Sequence, residues 1–211
     1  MTFLLSLLET RILGVLIEKQ ITVPDTYPLS LNSLVSGCNQ KSSRDPVMSI
    51  NDTEADEALV HLKELKLIES SHLGGRIARY SQRFAAVFQV PSQSVAILTV
   101  LMLRGPQTAG ELRLACERLH KFSDISAVEA FLEELASRSS GALVVKLPRQ
   151  PGARECRWAH LLSGEPVISE TAPSAKGSAD SALQAKVDLL EIELFELKEK
   201  VARICAELGV E

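Results

Sequence analysis

Residues 51–81 constrain the fold of this 211-residue chain more than any other stretch. Ala55, Ala58, Leu59, Leu62 and Leu65 fall at i, i+3, i+4, i+7 and i+10. That spacing lays one apolar face along a helix. Asn51 followed by Glu54 forms a capping pair at its start. The helical pattern runs into Leu67-Ile68-Glu69-Ser70-Ser71-His72, then Leu73-Gly74-Gly75-Arg76, then Ile77-Ala78-Arg79-Tyr80-Ser81. Adjacent glycines between two such runs predict a hairpin, because glycine reaches positive φ at no steric cost. A helix entering a hairpin, with two shorter helices before it, is the winged variant of helix-turn-helix.

Those two helices are expected over 8–20 and from Ser30 to Gly37. The first turns Ile12, Leu13, Leu16 and Ile17 inward, and Thr22-Val23-Pro24 ends it. In the second, Ser30 is the cap, Leu31, Leu34 and Val35 are apolar, and Gly37 closes the helix. The polar loop 39–46 follows, and Phe84, Val87 and Phe88 pack the exit from the hairpin onto this first unit.

The plan then repeats. A helix over 94–103 meets the turn Arg104-Gly105-Pro106-Gln107, and Thr108 with Glu111 is a capping box for the next helix. Ser126 with Glu129 opens another helix, with Val128, Phe131, Leu132 and Leu135 on one face. Strands are expected over 142–147 and 155–161. Residues 164–181, rich in Ser, Ala, Pro and Gly, read as a flexible linker. Beyond them Leu183, Val187, Leu190, Leu194, Leu197, Val201, Ile204 and Leu208 alternate spacings of four and three, a coiled-coil seam. The expected fold is α+β, mainly α: winged-helix domains at 1–90 and 91–163, the linker, and a C-terminal coiled-coil helix over 182–209.

Charge is distributed unevenly. Residues 1–90 carry nine Lys and Arg against ten Asp and Glu, residues 91–163 nine against seven, and residues 164–211 five against ten. The acidity of the chain, net −4, therefore lies in the tail. Cys38, Cys116, Cys156 and Cys205 are scattered with no Cys-x-x-Cys, which suits free thiols in a reducing compartment. The apolar start lacks a basic leader and a small-residue cleavage site, and no stretch approaches a membrane span. A cytoplasmic protein with no membrane partner is expected.

The runs Leu13-Gly14-Val15-Leu16-Ile17-Glu18-Lys19-Gln20, Thr26-Tyr27-Pro28-Leu29-Ser30, Cys38-Asn39-Gln40-Lys41-Ser42 and Arg44-Asp45-Pro46-Val47-Met48 together resemble the YceH family of bacterial proteins. Leu103-Arg104-Gly105-Pro106-Gln107-Thr108 and Gly110-Glu111-Leu112 resemble its second-domain signature. The resemblance covers both globular domains and implies a tandem winged-helix fold. The family has no established activity, so the resemblance supplies no catalytic or binding residue.

The chemistry-bearing motifs are few. There is no Gly-x-Ser-x-Gly, phosphate-binding loop, His-Glu-x-x-His or dinucleotide fingerprint, and no enzyme activity or cofactor is expected. Cys116 with His120, and Cys156 with His160, are two Cys-x-x-x-His pairs. They could hold zinc only if helix and strand met; otherwise Cys116 is a core residue, and no metal is expected. The loop residues Asn39, Gln40, Lys41, Ser42 and Arg44 form either a contact surface for a partner or phosphate, or a hydrogen-bonded turn that positions the next helix.

Two functions compete. A winged helix usually lays its third helix in the major groove and its wing on the backbone, which makes a DNA-associated regulator the first. Yet both third helices, 52–66 and 123–138, carry a net charge of −3, which phosphate repels. DNA contact is therefore expected through the wings, at Arg76, Arg79, Arg149, Arg154 and Arg157. The second is a protein-docking scaffold using winged helices as interaction modules. In either case the tail is expected to form a parallel homodimer. Its flanking charges, Lys186 with Glu191 and Glu193 with Lys198, attract in that orientation.

Overall fold

Helix starts follow from polar side chains that satisfy the first free backbone N–H groups. In this computed structural model, which describes residues 4–71 and 77–166, helix α1 (Leu7–Thr22) is opened by a reciprocal box. The Ser6 hydroxyl accepts from the Glu9 amide, and the Glu9 carboxylate accepts from the Ser6 amide. A 3-10 turn (Pro24–Thr26) and strand β1 (Leu29–Ser30) lead to α2 (Leu31–Cys38), capped by Ser30. Helix α3 (Asp52–Glu64) carries the Asn51–Glu54 box in full. Strands β2 (Ile68–Ser71) and β3 (Arg79–Gln82) pair antiparallel, with Ser71 opposite Arg79, and β1 joins β3 from its other side.

After α4 (Phe84–Phe88), helix α5 (Ser92–Arg104) ends at Gly105, whose φ of +69 turns the chain. Helix α6 (Ala109–Ala115) has the Thr108–Glu111 box. Helix α7 (Ile125–Ala136) leads to β4 (Val144–Lys146) and β5 (Trp158–His160), paired antiparallel with Val144 opposite His160. Gln107 and Trp158 exchange backbone hydrogen bonds at 3.1 and 2.7 Å. The residues just before the second helix of each repeat thus meet its hairpin, as the short strand β1 in the first and as a single bridge in the second.

Some details differ from the sequence reading. Gly37 does not close α2; the helix runs to Cys38 with Asn39 as its C-cap. Gly37 is buried, and a Cβ there would lie 2.6 Å from Val15 Cγ1, so its job is close helix packing. The cap of α7 is Asp124, not Ser126: Asp124 Oδ1 accepts from the Ala127 amide at 2.8 Å, and the helix starts earlier than expected. Helix α1 is longer at both ends than 8–20.

The repeats share one core. Every residue of α1 from Glu9 to Ile17, and of α5 from Ser94 to Leu103, is buried. A helix buried on all sides belongs at the centre of a domain. These two make the most extensive helix–helix contact in the fold. A Cβ on Gly14 of α1 would sit 2.8 Å from Leu103 Cδ2 of α5. The described residues form one compact unit. Leu5 donates to the Leu162 carbonyl at 2.8 Å, bringing both ends of that unit together. The linker, the heptad seam from Leu183 to Leu208 and Arg76 of the first hairpin turn lie outside the described residues. Among those described, no helix is long and apolar enough to cross a membrane.

Candidate functional site

The loop 39–46 is fastened from below by two buried arginines. Arg11 of α1 donates to the carbonyls of Cys38 at 3.2 Å and Pro46 at 2.7 Å, one at each end of the loop. Burial, with the Arg44 charge nearby, lowers its pKa. Arg44 is the sequence candidate for phosphate contact, but its side chain has no exposure. It donates to both Glu18 carboxylate oxygens at 3.2 and 2.6 Å, to the Gly37 carbonyl and to Gln40 Oε1. Burial raises the Glu18 pKa, but the hydrogen bonds and charge of Arg44 outweigh it, and the carboxyl ends below its usual value. The α2 carbonyls of Gly37 and Cys38 lie at the negative end of the helix, where a cation is favoured.

Asn39 also holds structure. Its side chain accepts from the Ile50 amide and donates to the Ile50 carbonyl, both at 2.8 Å. Arg44 and Asn39 thus follow the turn reading, as does Gln40 through its bond to Arg44. Lys41, Ser42 and Ser43 stay exposed. The loop is docked onto the second repeat, with the Asp45 amide on the Leu103 carbonyl at 2.9 Å and Arg104 on Ser43 Oγ at 2.9 Å.

Lys41, Ser42 and Ser43 form one lip of a groove of about 550 Å³. The C-terminal end of α1 forms another wall, through Glu18 and Lys19. The end of α5 contributes Val100, Leu103 and Arg104, and the turn after α6 contributes Arg118 and Leu119. Four cations thus meet from four chain segments. Sequence reading missed the groove because no window contains more than one or two of them.

The third helices turn acid to solvent. On α3, Asp52, Glu54, Asp56, Glu57 and Glu64 are exposed, and none forms a salt bridge among the described residues. On α7, Glu129, Glu133 and Glu134 are exposed, and Glu133 faces Lys146 at 3.6 Å. His61 Nδ1 meets the buried Glu9 carboxylate, fixing α3 to α1. The arginines of the two hairpins divide. Arg79 donates to the Pro28 carbonyl at 2.8 Å. Arg157 donates to the Pro106 carbonyl at 3.2 Å and lies 3.7 Å from Glu111. Arg149 and Arg154 are exposed on the β4–β5 loop and form no salt bridge among the described residues.

The two Cys-x-x-x-His pairs do not come together as a ligand set. Cys116 is fully buried, and burial pushes its thiol up to about 12. The His120 ring packs edge-on against Phe122 at 4.8 Å. Burial lowers His160 to about 4. Among the described residues, no group of three or more His, Cys, Asp or Glu could hold a metal ion.

A family model described as a protein of unknown function, DUF480, matches residues 5–153. A UPF0502 protein of Dechloromonas aromatica (strain RCB) is 59% identical over 198 residues, covering 92% of each chain. One of Acidovorax sp. (strain JS42) is 52% identical over 212 residues, covering 96% of this chain and 93% of its own. One of Burkholderia multivorans is 52% identical over 211 residues, covering 97% and 89%.

Proposed function

This chain belongs to the DUF480 family, and from that premise we propose a non-catalytic tandem winged-helix protein, cytoplasmic, that docks a basic partner protein. The observation that carries this reading is the exposed acid on both third helices, above all the five carboxylates of α3, which form no salt bridge among the described residues. A helix of that charge is repelled by phosphate and attracts a cationic surface. Arg79 and Arg157 support the same reading, since both spend hydrogen bonds within the fold.

The test is a charge reversal, Asp52→Lys with Asp56→Lys and Glu57→Lys. Crosslinking and affinity capture from native cells should recover a basic partner with the natural chain and lose it with the variant. Circular dichroism should show the same helix content in both. In fluorescence anisotropy at low salt, the natural chain should leave a labelled duplex unbound, while the variant gains affinity. Tight, salt-dependent duplex binding by the natural chain would sink the reading.

A second reading keeps DNA, on one observation: Arg149 and Arg154 stand exposed on the second wing, with no salt bridge among the described residues. A DNA-associated regulator touching the backbone there would lose about one unit of salt slope for each arginine removed.

A further inference from the structure

We infer that the groove between the 40–43 loop and the ends of α1 and α5 is a binding site for a small phosphate ester with an apolar body, of mononucleotide size. The charge balance points to an anion. Lys19, Lys41, Arg104 and Arg118 line the groove, and Glu18 is the lone acid among its lining residues. That carboxylate is already neutralised from beneath by the fully buried Arg44. The C-terminal ends of α1, α5 and α6 lie at the same place, and each contributes at most about half a negative charge. Four cations against roughly one and a half negative charges leave an excess above about +2. Three helix ends therefore do not account for four cations.

The donors suit phosphate. Lys41 and Arg118 are exposed and form no salt bridge among the described residues. Arg104 spends one hydrogen bond on Ser43 Oγ and retains the rest of its planar fork, the geometry that pairs with phosphate oxygens. The Ser42 and Ser43 hydroxyls stand at the same lip. The loop that carries them is held at both ends by Arg11, so these donors are pre-positioned. Val23, which is exposed, and the half-buried Leu119 supply apolar surface for the body of the ligand, over a floor of buried Val100 and Leu103. The volume, about 550 Å³, lies inside the range of small-molecule sites.

Isothermal titration calorimetry of the full chain with ADP, inorganic pyrophosphate and adenosine tests this. ADP should bind saturably at one site per chain, pyrophosphate more weakly, and adenosine not measurably. Lys41→Ala with Arg118→Ala alters two exposed side chains, and should weaken ADP binding at least about tenfold while leaving the melting temperature unchanged. No heat from ADP or pyrophosphate up to about 1 mM, or ADP binding untouched by the double variant, would overturn the site. So would a short duplex that displaces ADP and loses its own affinity in the double variant, which would reassign the groove to nucleic-acid backbone. Failure here leaves the partner-docking reading standing, because none of its acidic residues on α3 or α7 lines the groove.

Discussion

Arg44 shows how a side chain that looks like a ligand contact in sequence becomes a structural strut. Removing it strips the Glu18 carboxylate, which is only 18% exposed, of its bidentate partner and leaves it only Lys19 at 3.5 Å. Arg44→Met should cost about 3 kcal/mol of stability in urea unfolding. Adding Glu18→Gln to it should restore part of that loss, since the stranded charge goes with it. A second residue sets an acid limit. Burial lowers His160 from its ordinary 6.5 to about 4, and its Nδ1 has no hydrogen-bond partner among the described residues. The unfolded chain therefore takes up a proton before the folded one. The stability tied to this ring is complete above about pH 6.5 and is lost as pH falls toward about 4, by at most about 3 kcal/mol. Urea midpoints measured across that window should fall more steeply for the natural chain than for His160→Gln.

At the scale of elements, Gly14 decides how closely α1 and α5 approach. Gly14→Ala would place a methyl 2.8 Å from Leu103 Cδ2, inside a core with no slack. The expected cost is about 1–3 kcal/mol, read as a melting temperature several degrees lower. Elements were largely legible in the sequence because each depends on local chemistry. The Asn51 and Thr108 boxes, the Ser30 cap and the inward faces of α3 and α7 follow from spacing within a few residues. At α7 the Ser126–Glu129 spacing misleads, because Asp124, two residues earlier, takes the free Ala127 amide. The buried arginines were not legible. Arg11 sits in an apolar run where a charge reads as an interruption, and its acceptors lie 27 and 35 residues away. The groove was hidden for the same reason, since its cations come from four separate segments.

For the whole molecule, the heptad positions predict a quantity that light scattering can read. The seam lies outside the described residues, and we propose from its spacing that it pairs two chains in parallel. Full-length protein at tens of micromolar should run as a dimer, and a chain ending at Gly164 as a monomer. A dimer that survives truncation would place the interface elsewhere.

The pairing of α1 with α5 also limits how the chain can be dissected. Division between residues 90 and 91, the natural point on a repeat map, would uncover a wall of α1 lined by Gly14 and a matching wall of α5 around Met102 and Leu103. Each half would be born with an oily surface shaped for the other. Expressed apart, the halves should aggregate; expressed together, they should reassemble without a covalent link, as complementary fragments. Two copies of one plan thus share a single store of stability, and neither is expected to fold when moved on its own into another protein.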